Sequence, residues 1–315
     1  MATRRTVLGG AVAVAATAGL AEPGWASQAD GAQYVPVPIA VLPNGKVVMR
    51  VWINRTGPYL FFMDTGASAS AIQSDLAKKL GLKFTRGQTV DGVGGEEIEG
   101  VYLAAEAQFG PYLRQKGVAF GGMPNFKGAA AGLVAAGFLT SLPSVLDYGA
   151  KEIRIYTRGA PDLSDFTPVK SYLSTEDPHT SEMIFVYLTI DGVPLKLMVD
   201  TGADVHVLLY PSTVRAHGLW DKYGQGTSGK SRGITGAVDA TRTVTMPDFA
   251  LSDVTVPHLP VTMMDPASHN ENDGVDGLLG SRFLELFAIA ITQKGIALRP
   301  IAQPVPATPS SAASQ

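Results

Sequence analysis

Two aspartates in this chain carry the residue types and setting of acid–base chemistry. Asp64 ends the run Leu60-Phe61-Phe62-Met63 and is followed by Thr65-Gly66-Ala67-Ser68. Asp200 ends Lys196-Leu197-Met198-Val199 and is followed by Thr201-Gly202-Ala203-Asp204, 136 residues further on. One Asp-Thr-Gly reads as a turn, since aspartate and glycine both favour turns. Two copies, each closing an apolar strand-like run, point instead to a matched pair of carboxyl groups. Two carboxyls within hydrogen-bonding reach cannot both ionise cheaply, so they share one proton over a broad pH range. The ionised member can then take a proton from a water while the protonated member donates to a carbonyl. Such a pair titrates as a unit, and neither aspartate alone owns the proton.

The elements that position these residues repeat with them. Upstream, Val51-Trp52-Ile53 and the turn Arg55-Thr56-Gly57-Pro58 correspond to Val186-Tyr187-Leu188 and the turn Asp191-Gly192. Downstream, Ser74–Leu82 corresponds to Pro211–Leu219, each predicted as a short helix with a capping residue at its start and glycine past its end. A third pair of segments, Gly132–Leu139 and Gly277–Leu284, closes each copy. Two copies of one unit in one order predict duplicated lobes.

Between these markers the pattern is strand and turn. Pro36–Val41 and Lys46–Ile53 flank Pro43-Asn44-Gly45, a strong hairpin signal. Further strands are predicted at 59–63, 153–156, 183–190, 195–199 and 254–261. The fold class is all-β, with two similar β-barrel lobes and a few short helices. The expected division is an export signal over 1–29, a first lobe over 30–157, a connection over 158–181, a second lobe over 182–300 and a disordered tail over 301–315. The connection has four acidic residues, three prolines and little periodicity.

These units resemble the aspartic peptidases, pepsin-like and retropepsin-like, over about residues 35–299. Both half-sites stand in one chain, as in pepsins, whereas the short, similar, cysteine-free lobes look like a fused retropepsin. The resemblance implies an acid-protease fold and an aspartic endopeptidase that hydrolyses peptide bonds with water activated between Asp64 and Asp200. It implies that Thr65 and Thr201 bond across the lobe junction and that Gly66 and Gly202 let the backbones approach closely. Ser68 would bond Asp64, and Asp204 would grip substrate backbone beside Arg282; a plain turn carboxylate is the other reading of Asp204. Glycine-rich flaps are implied at Asp91, Gly92, Val93, Gly94 and Gly95 and at Ile234, Thr235 and Gly236, without the tyrosine of pepsin-like flaps. Ala135, standing where the second copy has Gly280, is a further departure.

The resemblance also implies a peptide or protein substrate. A net charge of −3 gives no sign of nucleic-acid binding, and the absence of cysteine excludes disulfides, thiolate metal sites and a cysteine nucleophile. The five histidines have no zinc-protease spacing, and residues 268–274 lack calcium-loop spacing, so neither a metal nor another cofactor is expected. His206 reads as a packed or surface residue. Arg4-Arg5 before the apolar stretch Val7–Ala21 resembles a twin-arginine export signal, an ordinary secretory signal that carries two arginines being the other reading, with cleavage after Ala26 or Ala29. An exported, periplasmic or secreted, monomeric protein without stable membrane insertion is expected. The alternative function is a bilobed peptide-binding protein that keeps the fold without catalysis.

Overall fold

The computed structural model describes residues 25–26, 33–85, 100–126, 128–175, 180–232, 238–268 and 274–301. Among them the chain is mostly β-strand, with short helices of four to six residues. Alternation explains the strands. Along Val47–Ile53 and Thr56–Asp64, Met49, Val51, Phe61 and Met63 point into one core, whereas Arg50 and Leu60 stay exposed. The predicted hairpin forms from Val35–Val41 and Val47–Ile53, and Gly45 occupies its turn at φ +76°.

The two copies share one local topology. Thr56–Asp64 pairs in parallel with Gly132–Ala135, which pairs on its other side with the short antiparallel strand Ala71–Gln73. Val193–Asp200 pairs in parallel with Gly277–Gly280, which likewise receives Val207–Leu209. Each aspartate therefore ends a strand whose chain turns out and returns beyond the closing strand. Only glycine fits where the closing strand begins. A Cβ on Gly132 would lie 2.2 Å from the Ala71 carbonyl oxygen, and one on Gly277 would lie 1.9 Å from that of Leu208. Gly277→Ala is accordingly expected to cost about 3 kcal/mol, read as a lowered Tm. A melt within a degree of wild type would show that the strands can part without cost.

The lobes are joined by a continuous sheet. Ser144–Asp147 of the first pairs antiparallel with Phe287–Thr292 of the second, flanked by Glu152–Ile155 and Val35–Val41 on one side and Gly295–Pro300 on the other. Buried Asp147 accepts from Arg154 at 2.9 Å and from Arg299 of the second lobe at 3.0 Å, so one carboxylate balances a guanidinium from each lobe.

The stretch 158–181 itself carries strands, since Thr167–Pro168 pairs with Gly295–Pro300 and Ser171–Ser174 pairs with Met183–Ile190. Two expectations change. The predicted strand at 254–261 is two strands, Val254–Val256 and Leu259–Met264. Pro257 lacks the N–H to continue a ladder, and His258 turns the chain at φ +56°. The helices Ser74–Lys79 and Pro211–Ala216 have no side-chain cap; Gln73 and Tyr210 precede them and Pro211 opens the second. Past their ends Gly81 and Gly218 do take positive φ, at +62° and +59°. The candidate flap residues Asp91, Gly92, Val93, Gly94, Gly95, Ile234, Thr235 and Gly236 lie outside the described residues. So do nearly all of the proposed export signal, where Trp25–Ala26 pairs with Leu113–Met123, and the tail beyond Ile301.

Candidate active site

The two Asp-Thr-Gly turns meet at the lobe junction. Thr65 Oγ1 donates to the Val199 carbonyl at 2.7 Å and accepts from the Thr201 amide at 3.0 Å. Thr201 Oγ1 donates to the Met63 carbonyl at 2.6 Å and accepts from the Thr65 amide at 3.0 Å. Four buried bonds thus cross between strands 136 residues apart in sequence. Both threonines are almost wholly buried, where an unmade bond would be costly.

This clasp aims the carboxyls at each other. The Gly66 amide donates to Asp64 Oδ1 at 2.9 Å, and the Gly202 amide donates to Asp200 Oδ1 at 2.7 Å, joined by the Ala203 amide at 3.1 Å. Each glycine also lies against the opposite carboxyl. A Cβ on Gly66 would sit 2.6–2.7 Å from the Asp200 carboxyl atoms, and a Cβ on Gly202 would sit 2.7 Å from those of Asp64. The carboxyls of Asp64 and Asp200 therefore face each other across the two turns, close enough for each to act on the other's ionisation. Burial first, then the charge of Asp200, pushes Asp64 up to about 8, against the pull of the Gly66 amide and of Lys46. Burial also raises Asp200, opposed by the Gly202 amide, the charge of Lys46 and the Ala203 amide. The site is therefore built to hold a proton between two carboxyls well above the ordinary carboxylate range.

The remaining predicted residues fall around this pair. Ser68 is buried beside the Asp64 turn, and its carbonyl accepts from the Ser181 amide at 2.8 Å. Asp204, nearly half exposed, accepts from Arg282 Nε at 2.9 Å. Half-buried His206 lends its carbonyl to the Gly280 amide at 2.9 Å, and burial followed by the nearby Arg282 charge lowers its imidazole pKa. The Ala135 departure has a local answer. The Ala135 amide, in the position of Gly280, donates to Ser70 Oγ at 3.1 Å instead of to a backbone carbonyl. In the second lobe a Cβ at Gly280 would lie 2.3 Å from the Val205 carbonyl oxygen, so only that lobe requires glycine.

Sequence reasoning missed Ser70 and Lys46. It also missed that the Pro43–Gly45 turn reaches the second lobe. Arg282 Nη1 donates to the Pro43 carbonyl, and Ser281 Oγ donates to that of Asn44 at 3.0 Å. Neither contact has a sequence signal.

A sequence profile described as Aspartyl protease matches residues 49–131 and 186–283, so it matches each copy of the repeat. Among solved structures, the crystal structure of aspartic proteinase from Irpex lacteus is similar. It has a TM-score of 0.51 and 14% sequence identity, and the match covers 85% of this chain and 98% of that one. At that identity the likeness is one of fold. No curated protein sequence matches the chain.

Proposed function

Because this chain belongs to the aspartyl protease family, we propose that it is an aspartic endopeptidase in which Asp64 and Asp200 activate one water for attack on a peptide carbonyl. The observation that carries this reading is the mutual approach of the two turns, with each glycine against the other lobe's carboxyl. Its chemistry asks nothing beyond the pair. With one proton shared, the ionised carboxyl takes a proton from the water as its oxygen bonds to the carbonyl carbon. The protonated carboxyl donates to the carbonyl oxygen, and a proton then passes to the leaving amine as the C–N bond breaks. The threonine clasp keeps the carboxyls within this reach, and the glycines leave them room. Ser68 and Asp204 act as a bonding partner of Asp64 and a grip on substrate backbone, with Arg282 orienting Asp204.

We further assign the lobes to 30–157 and 182–300, place flaps at 91–95 and 234–236, and read the protein as exported and monomeric. A non-catalytic peptide binder would gain nothing from two apposed carboxyls, one of them buried, whose ionisation is mutually unfavourable, which favours the enzyme. The test is digestion of an unfolded protein substrate in ¹⁸O water between pH 3 and 8, with products read by mass spectrometry. New internal cleavages carrying one ¹⁸O in the new carboxyl group are expected. Tight peptide binding without cleavage at any pH would select the binder instead.

A further inference from the structure

The hairpin that crosses to the second lobe also carries a charge to the carboxyl pair. In the antiparallel ladder of Val47–Ile53 with Thr56–Asp64, Val48 stands opposite Phe62. Lys46 immediately precedes the first of these strands, at the end where the second strand runs on to Asp64. Phe61 and Met63 fill the core, so Phe62 and Asp64 occupy the other face. The Lys46 ammonium indeed lies over the Phe62 ring, 5.8 Å from its centroid.

The second lobe holds Lys46 in that place. Besides the bonds from Arg282 and Ser281 to the turn, Gly45 is buried so closely that a Cβ there would lie 2.9 Å from the Ser281 carbonyl oxygen. The other charged or titratable groups packed around this turn are Arg282, Asp204, Glu285 and His206. Arg282 is paired with Asp204 at 2.9 Å and faces Glu285 at 3.8 Å. Lys46 is the cation that acts on both Asp64 and Asp200.

We propose that Lys46 is a positioning residue of this site, a cation clamped by the second lobe over Phe62, on the face that Asp64 shares, so that the pH window in which the carboxyl pair carries one charge lies lower than burial alone would put it. The inference rests on the proposed aspartic chemistry for its consequence, not for its geometry. A cation favours each ionised form, so it lowers the pH at which the first proton leaves and also the pH at which the second leaves. The clamp ties this charge to the correct apposition of the lobes.

The sharpest test compares Lys46→Met, which keeps the apolar stem over Phe62 but loses the charge, with Lys46→Arg. In Lys46→Met both limbs of the pH profile of kcat/KM should move to higher pH by roughly half a unit to one unit. Lys46→Arg should keep the wild-type profile. Raising the ionic strength should narrow the gap between wild type and Lys46→Met, because exposed parts of the interaction are screened. Superimposable wild-type and Lys46→Met profiles would overturn the proposal. So would a change in KM alone with both limbs unmoved, which would make Lys46 a substrate contact. Titration of the Asp64 and Asp200 carboxyls by ¹³C NMR reads the same shift without turnover. That measurement decides the role of Lys46 even if the protein cleaves no peptide, an outcome that would count against the proposed function alone.

Discussion

Asp64→Asn and Asp200→Asn are each expected to fold, to lose about 10³-fold or more of peptide cleavage, and to be more stable than wild type at neutral pH. The loss follows from the division of labour, because an amide can neither take the proton from water nor pass one to the carbonyl. The gain in stability follows from the raised carboxyl. Asp64 sits at about 8 in the folded chain against an ordinary value of 3.8. Between those values the folded protein holds a proton that the unfolded chain releases. A raised pKa of this kind favours folding fully below pH 4, and that advantage is lost as pH climbs towards 8. Asparagine removes the dependence while keeping an oxygen for the Gly66 amide. Melting curves at pH 7 should therefore show Asp64→Asn ahead of wild type by on the order of a few kcal/mol, and curves at pH 3.5 should nearly coincide. Cleavage retained in both variants, with the same products, would end the dyad assignment.

The second large effect concerns the clasp. Thr201→Val keeps the shape of the side chain but removes the donor to the Met63 carbonyl and the acceptor for the Thr65 amide. Both stranded groups are buried, and each costs about 1–3 kcal/mol when left unpaired. A loss of roughly 2–5 kcal/mol is expected from the pair of them, with Thr65→Val behaving alike. Thr201→Ser restores both bonds and should recover most of the stability. Activity should fall further than stability alone explains, because the clasp aims the carboxyls: kcat should drop at temperatures where the variant is fully folded. A fully folded Thr201→Val with unchanged kcat would mean that the turns are held by the inter-lobe sheet and not by the threonines. Gly277→Ala, by contrast, acts on the closing strand and should lower Tm with no such separate effect on kcat.

What was legible in the chain is what depends on local order. The Asp-Thr-Gly duplication, the Pro43-Asn44-Gly45 hairpin and the glycines past Lys79 and Ala216 are written in residues a few positions apart, where backbone preference and alternation operate. The duplication also allowed two lobes to be expected, since each copy needs its own closing strand. Local order failed where tertiary pairing overrode it. Residues 158–181 look irregular, yet sheet edges at Gly295–Pro300 and Met183–Ile190 draw strands from them. Likewise the apolar run across Val254–Val261 breaks because its two halves serve different neighbours.

The amino-acid order by itself determined which side chains could form a carboxyl pair and that two similar halves must supply them. Only the tertiary structure decided that the halves meet through reciprocal threonine bonds, that each glycine abuts the opposite carboxyl, and that a hairpin held by the second lobe sets the Lys46 ammonium over Phe62, two residues from Asp64. The physical reason is range. Strand alternation and turn preference act over a few residues, whereas burial and the interaction of two charges depend on distances that exist only once residues 136 positions apart are brought into contact.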